Sequence, residues 1–503
     1  MSKFKPSFKK IVNNDDFSAS VLIAVVVCAV VFVNVIIYTL ATTFGWYFTK
    51  VREDDFSISD SGETLFSEAM AKGLDVEVIF CMYEADVEKH DTGSFVLKTA
   101  KEFEEKYPEF INLRFVNIIT KMDEDQRTPF DTSPFEKDMR GEETALNKTS
   151  VIFRCGSNYR VITDTYTGVG YADFYTLNSD MSMSSYNGEE VFTAMIGWVL
   201  SETHGTAYVT VGHGETASVS LHNNLTCAGY YVEEFNLRSG EIPDDGELVV
   251  ISNPRNDFEK AAEGSGLYSE IEYLRAFADR GGSFMVFIDP EAPKLHNLEG
   301  FVSEFGIALR ETEERERLTV KDSSNAITTD GFTLVAEYSS DDTAAAMLGK
   351  TEVYGGDVII KNAAPLELSG AAKAVLLSSS TSVAEAGGDT VSKDGSFPIA
   401  AVSYKENADG ERAEMFVCGS IYFSATDAMI TNGYSNKDFL YSLYDVCFEK
   451  GNMPYGCNSV IFDDGTLENL TMGQARWYTV LLIAIPTVLA AVGLVVMIRR
   501  KNR

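Results

Sequence analysis

Strand-like and helix-like patterns of apolar residues alternate along most of this chain. Residues 75–82 (DVEVIFCM) form a near-continuous apolar run that predicts a buried strand. Val96, Ala100, Phe103 and Tyr107 then recur at helical spacing until Pro108 ends the helix, and residues 111–118 (INLRFVNI) predict a second strand. A polar loop over 120–148 is followed by a hairpin, 150–155 and 159–163, around Gly156 to Asn158. The next helix is marked by Asn187 as N-cap, by Glu189 and Glu190 in its first turn, and by an apolar face of Val191, Met195 and Val199 with Phe192, Ile196 and Leu200. From there the alternation is regular: strand 207–212, helix 217–228, strands 230–236 and 247–252, helix 267–279 stopped by Gly281 and Gly282, strand 283–289. Buried strands alternating with amphipathic helices are what a parallel sheet covered on both faces requires.

After Gly306 the pattern weakens. Residues 311–317 (ETEERER) alternate in sign and suit a solvated segment. Between 318 and 377 only short strand-like pieces occur, and 384–395 is a Gly-rich loop. Strands return at 399–404 and 413–419, with a helix at 437–449. The fold class expected is therefore α/β: two Rossmann-like parallel-sheet units with a β-rich insertion.

Both ends of the chain are apolar. Residues 21–40 (VLIAVVVCAVVFVNVIIYTL) and 477–498 (WYTVLLIAIPTVLAAVGLVVMI) are each long enough to span a bilayer of about 30 Å. The first exceeds a signal-peptide core, and Pro486 is tolerable in a membrane helix. Lys3, Lys5, Lys9 and Lys10 before the first segment, and Arg499, Arg500, Lys501 and Arg503 after the second, place both termini in the cytoplasm by the retention of basic residues there. The expected organisation is a cytoplasmic tail (1–16), a transmembrane anchor (17–49), a first extracytoplasmic α/β unit (50–186) and a second with a GHGE motif (187–317). A β-rich insertion (318–396), the completion of the second unit (397–476), a transmembrane helix (477–498) and a basic tail (499–503) follow. This would be a two-pass protein of the cell membrane, in contact with lipid through two spans.

Charge narrows the partners. The chain carries 42 Lys and Arg against 75 Asp and Glu, a formal net charge of −33, with eight of its basic residues in the two tails. Such an acidic body repels nucleic acid. The seven cysteines form no CxxC pair. Cys28 lies in the first expected span, Cys81, Cys155, Cys227 and Cys418 lie in apolar or strand-like runs where a buried thiol is the plain reading, and Cys447 and Cys457 are near enough in sequence to leave a disulfide open.

The most suggestive local string is 209–215 (VTVGHGE), which ends a buried strand and leads into a helix. Loops at the carboxyl ends of parallel strands are where α/β folds place ligands. Gly212 and Gly214 would let the backbone approach a partner closely, and His213 and Glu215 could act as acid and base. The alternative is that the glycines only permit a tight turn, capped by His213. Asn253 and Asp289, each before a proline at a neighbouring strand end, complete a candidate ligand or partner cleft. His213 and His222 with one glutamate make a weak zinc pattern, and no metal or cofactor is expected. No GxxxxGK[ST] phosphate loop, GxSxG elbow or HExxH helix occurs, which argues against ATP hydrolysis and against the corresponding hydrolases.

The chain resembles the ABC-transporter auxiliary family that includes the gliding-motility-associated substrate-binding-like component. The resemblance rests on GEEVFTAMIGWVLSETHGTAYVTVGHGE (188–215), VVISNPRNDF (249–258), RGGSFMVFIDPEAP (280–293), FVSEFGIAL (301–309) and VCGSIYFSATDAMITNGYSNKDFL (417–440). It implies a non-enzymatic, extracytoplasmic auxiliary subunit working with an ABC permease and a separate ATPase subunit, its substrate unknown. Carried onto this chain, the signature string marks Gly212, His213, Gly214 and Glu215 as a location rather than a mechanism. An envelope hydrolase using the GHGE loop and a non-catalytic envelope scaffold are the competing expectations.

Overall fold

Two sheets organise the chain, and the helix 188–200 lies in the core they share. The computed structural model describes residue 56 and residues 58–462, apart from 164–168, 178–181, 262–268, 315, 353, 394, 431–432 and 458. These residues belong to a unit that begins at Phe56.

The first sheet runs β3-β2-β1-β4-β5, with β1 Val76–Phe80, β2 Ile111–Asn117, β3 Met122–Asp123, β4 Val151–Cys155 and β5 Asn158–Ile162. Only β1 and β2, joined through α2 (Glu84–Glu88) and α3 (Gly93–Lys106), pair in parallel; β4 and β5 are an antiparallel hairpin, and β4 runs antiparallel to β1. The expected parallel first sheet is thus corrected to a mixed one. The two-residue gap between β4 and β5, turned by Gly156 at φ +59°, is too short for the crossover that a parallel pair needs.

Helix α4 (Gly188–Leu200) was read as amphipathic but is buried nearly all round, from Gly188 to Val199. Phe192 stacks on Phe103 of α3 at 5.3 Å and meets Phe153 of β4 edge-on at 5.2 Å. A fully buried side chain of this size contributes about 1.5–3 kcal/mol. The other side of α4 touches α5 (Val219–Cys227) of the second sheet's helical layer. Asn187 precedes α4 without capping it; its amide instead donates to Thr176 Oγ1 at 2.8 Å.

The second sheet has nine strands. They are β6 Thr206–Thr210, β7 Tyr231–Phe235, β8 Gly246–Ser252, β9 Ser283–Phe287, β10 Thr333–Tyr338, β11 Val358–Lys361, β12 Lys373–Leu377, β13 Pro398–Glu406 and β14 Arg412–Cys418. Their order is β11-β10-β12-β13-β14-β9-β8-β6-β7. The half from β14 to β7 is parallel and the half from β11 to β14 antiparallel. Residues 318–396 are therefore no separate insertion, since they supply β10, β11 and β12 to this sheet. Val249, Ile251, Phe284, Val286, Met415 and Val417 alternate onto one face and pack against α6 (Glu270–Asp279) and α7 (His296–Ser303) through Leu274, Phe277, Leu298 and Phe301. On the other face Phe416 meets Phe287, Phe423 and Phe439, the last from α10 (Asn436–Val446).

Among the described residues no helix is long and apolar enough to cross a membrane. The longest, α3, has 14 residues and rises about 21 Å at 1.5 Å per residue, well short of a hydrocarbon core of about 30 Å. Within the described residues the fold class is accordingly corrected to a mixed α/β protein, among which the expected flanking transmembrane helices, and the two-pass membrane placement that rested on them, find no support. The segments 17–49 and 477–498, like the tails, lie outside the described residues. Among the described residues no disulfide joins Cys447 to Cys457.

Candidate functional site

The GHGE loop leaves the end of β6 and turns back over the end of β8. Gly212 has φ +109° and Gly214 φ +76°, backbone conformations that L side chains resist. A Cβ on Gly212 would stand 2.8 Å from Asn236 Nδ2, and one on Gly214 3.2 Å from Arg255 Cβ. The partner that these glycines let approach is the chain itself. Arg255 N and Asn256 N donate to the His213 carbonyl at 2.7 and 2.9 Å, and Thr216 N donates to Ser252 O at 2.8 Å. The crevice between β6 and β8, where the connections leave to opposite sides and a ligand is ordinarily expected, is closed by these bonds.

His213 is completely buried. Its Nε2 lies 3.1 Å from Glu270 Oε2, its Nδ1 lies 3.5 Å from Glu215 Oε1, and its ring stacks on Phe258 at 4.1 Å. A carboxylate oxygen lies against each ring nitrogen, and both favour the protonated imidazole. The Glu215 carboxylate raises its pKa most, against the opposing effect of burial, and Glu270 adds to the rise. Burial alone would push the Glu215 carboxyl up, but the hydrogen bonds from the His213 ring and backbone bring it below its usual range. Glu270 opens α6, where the helix dipole favours its charge; it also accepts from Glu259 N at 2.7 Å, with Arg238 Nε at 3.6 Å. This is an internal latch that fastens the β6 loop to the start of α6. The helix expected directly after the motif begins only at Val219, capped by Ser218, whose Oγ accepts from Leu221 N at 3.0 Å.

Asn253 and Asp289 do come together. Asn253, at φ +52°, donates its side-chain amide to Asp289 Oδ2 at 3.2 Å and accepts from Asp289 N at 3.2 Å. Asp289 Oδ1 accepts from Ile421 N at 2.8 Å, so the ends of β8, β9 and β14 are clasped by one carboxylate. Burial raises the pKa of that carboxyl above its ordinary value. Asn253 is buried, whereas Asp289 lines a cleft of about 350 Å³ together with Thr216, Ser218, Lys361, Asn362 and Tyr422. Lys361 Nζ stands 5.7 Å over the Tyr422 ring. Just before Ile421 and Tyr422 of the cleft, Gly419 lets two backbones meet: a Cβ there would fall 2.2 Å from Ala364 O.

Of the six residues picked out in sequence, then, Asp289 lines the cleft, Gly212 and Gly214 are exposed on the loop, and His213 and Asn253 are buried. Lys361, Asn362 and Tyr422 were missed because they come from segments with no strong pattern, and only the sheet brings them to Asp289. Among the described residues no group of three or more His, Cys, Asp or Glu side chains is placed to hold a metal ion.

No family model and no curated protein matches the chain. Among solved structures it is similar to the mmIFT52 N-terminal domain, with 17% identity over 48% of this chain and 96% of that one and a TM-score of 0.37. It is also similar to a ThuA-like protein from Bacteroides uniformis, with 11% identity over 50% of this chain and 94% of that one and a TM-score of 0.31. PurLQS from Thermotoga maritima shows 13% identity over 48% of this chain and 99% of that one, at a TM-score of 0.29. Likenesses this weak define no class; the chain itself is a mixed α/β protein with a cleft, more apolar than polar in its lining, at the carboxyl edge of its larger sheet.

Proposed function

We propose that this chain is a non-catalytic, substrate-binding-like accessory subunit of an ABC transport system, acting with a permease and a separate ATPase. The observation that carries the non-catalytic part is the burial of His213, Glu215 and Glu270 in one ion cluster. A general acid or base must come within hydrogen-bond reach of a substrate proton, and this cluster has no approach for one. The cleft offers Asp289 and Lys361 as polar contacts in a mainly apolar lining with Tyr422 as an aromatic wall, a set suited to holding a ligand that joins a polar group to an apolar face. These features favour binding over the hydrolase alternative, and an open cleft favours it over a bare scaffold. The transport partners rest on the sequence resemblance and on the missing phosphate loop, which assigns ATP hydrolysis to another chain. Affinity purification of the full chain from its native cells in mild detergent is expected to recover a permease and an ATPase in constant ratio. Recovery of the chain alone, under conditions that preserve other permease–ATPase pairs, would overturn the assignment.

A further inference from the structure

The cleft at the carboxyl edge of the larger sheet carries one charged side chain of each sign, Asp289 and Lys361. Both are placed by the segment of Ile421 and Tyr422: Ile421 N donates to Asp289 Oδ1 at 2.8 Å, and Lys361 Nζ stands 5.7 Å over the Tyr422 ring.

Among the described residues neither charge has an ion-pair partner. Asp330, which feels Lys361 at longer range, is held instead by Thr328 Oγ1 and Phe332 N. Asp289 is held by two neutral donors, Ile421 N and the Asn253 amide, while Arg255 acts on it only at longer range. Each carboxylate oxygen has two lone pairs, so Asp289 can still accept from a further donor. The remaining lining is mainly apolar, with Ile421, Tyr422 and Ala425 on it. Such a lining rules out the simpler ligands. A plain anion would meet Asp289, a plain cation would meet Lys361, and a wholly apolar molecule would cover both charges without replacing their water.

We propose, resting on the reading of this cleft as the ligand site, that it binds a free α-amino acid with an apolar side chain. The ammonium faces Asp289, the carboxylate faces Lys361, and the side chain lies along Tyr422, Ile421 and Ala425. The cleft's volume is about 350 Å³. At roughly 30 Å³ of liquid per water it matches about a dozen waters, room for one such molecule.

The test is calorimetric titration of the full chain in mild detergent with leucine and phenylalanine, and with probes that each lack one feature. N-acetyl-leucine lacks the ammonium, leucinamide the carboxylate, and glycine the apolar side chain. Leucine or phenylalanine is expected to bind saturably, and each probe to bind about tenfold or more weakly than leucine. Lys361→Met is expected to weaken leucine by a similar factor and to close the gap between leucine and leucinamide, which a merely structural role would not do. Absence of saturable binding by both amino acids overturns the inference, as does a probe that binds as tightly as leucine or an unchanged leucine affinity in Lys361→Met. Should that variant fail to fold, the probes on the unaltered chain decide alone. The accessory assignment stands or falls separately: a chain that purifies with permease and ATPase but binds neither amino acid overturns this inference only. A chain that binds leucine but purifies alone overturns the transport assignment and supports the site.

Discussion

His213→Ala lowers the unfolding free energy of the chain by about 3–5 kcal/mol, because it takes away the imidazole that the two buried carboxylates Glu215 and Glu270 both face. Their side chains are 4% and 3% exposed, so water cannot screen them. The loss is read from urea unfolding of the full chain, and Glu270→Gln added to His213→Ala recovers part of it. The pH dependence has a defined sign. The folded pKa of His213 lies above its ordinary 6.5, so its contribution is complete below about pH 6.5 and fades as pH rises through the folded value. Glu215, lowered below its ordinary 4.5, contributes above about pH 4.5 and loses that contribution as acid protonates it. Wild-type stability therefore falls on both sides of this window, and His213→Ala flattens the alkaline limb. A fully stable His213→Ala chain would mean that the cluster holds nothing together.

Lys437→Met is expected to cost a similar amount, about 3–5 kcal/mol, by the same mechanism at a different joint. Lys437 on α10 pairs with Glu190 on α4 at 3.2 Å and donates to Cys457 O at 2.9 Å, with Asp438 beside it. Burial pulls the lysine's pKa down, but Glu190 and then Asp438 outweigh it, and the amine stays above its ordinary range. Burial pushes the Asp438 carboxyl up. Removing the amine strands both acids and unfastens α10 from the helix shared by the two sheets. Urea unfolding of Lys437→Met against the double variant Glu190→Gln/Lys437→Met separates stranded charge from lost packing. Recovery in the double variant supports the first, and equal loss in both contradicts it.

The parallel half of the large sheet was legible in sequence because β6, β8, β9 and β14 are buried on both faces and therefore read as unbroken apolar runs. The strands of the antiparallel half were legible as short pieces, 332–337, 358–360, 374–377 and 399–404, but the first three not as members of the same sheet. β12 shifts register twice against β13, and strands of four to six residues with polar flanks leave too little periodicity to align. Helix α4 was legible as a helix but not as a core element, since VFTAMIGWVL was matched to one face when nearly every position is apolar or small. The GHGE string was found as a location through its glycines and its place after a strand. Its role was hidden because the decisive partner, Glu270, lies 57 residues away, and burial of a histidine is not written in local spacing. Asp289 was found as a strand end; Lys361 and Tyr422 carried no signal of their own.

Accessibility of His213 in the folded full chain tests the central claim most directly. Treatment with diethyl pyrocarbonate near neutral pH, with each modified histidine located by peptide mass spectrometry, should label the exposed His222 and His296 rapidly and leave His213 untouched until the chain unfolds. Labelling of His213 in the folded protein as fast as of His222 would contradict the latch and return the loop to the list of open, reactive sites.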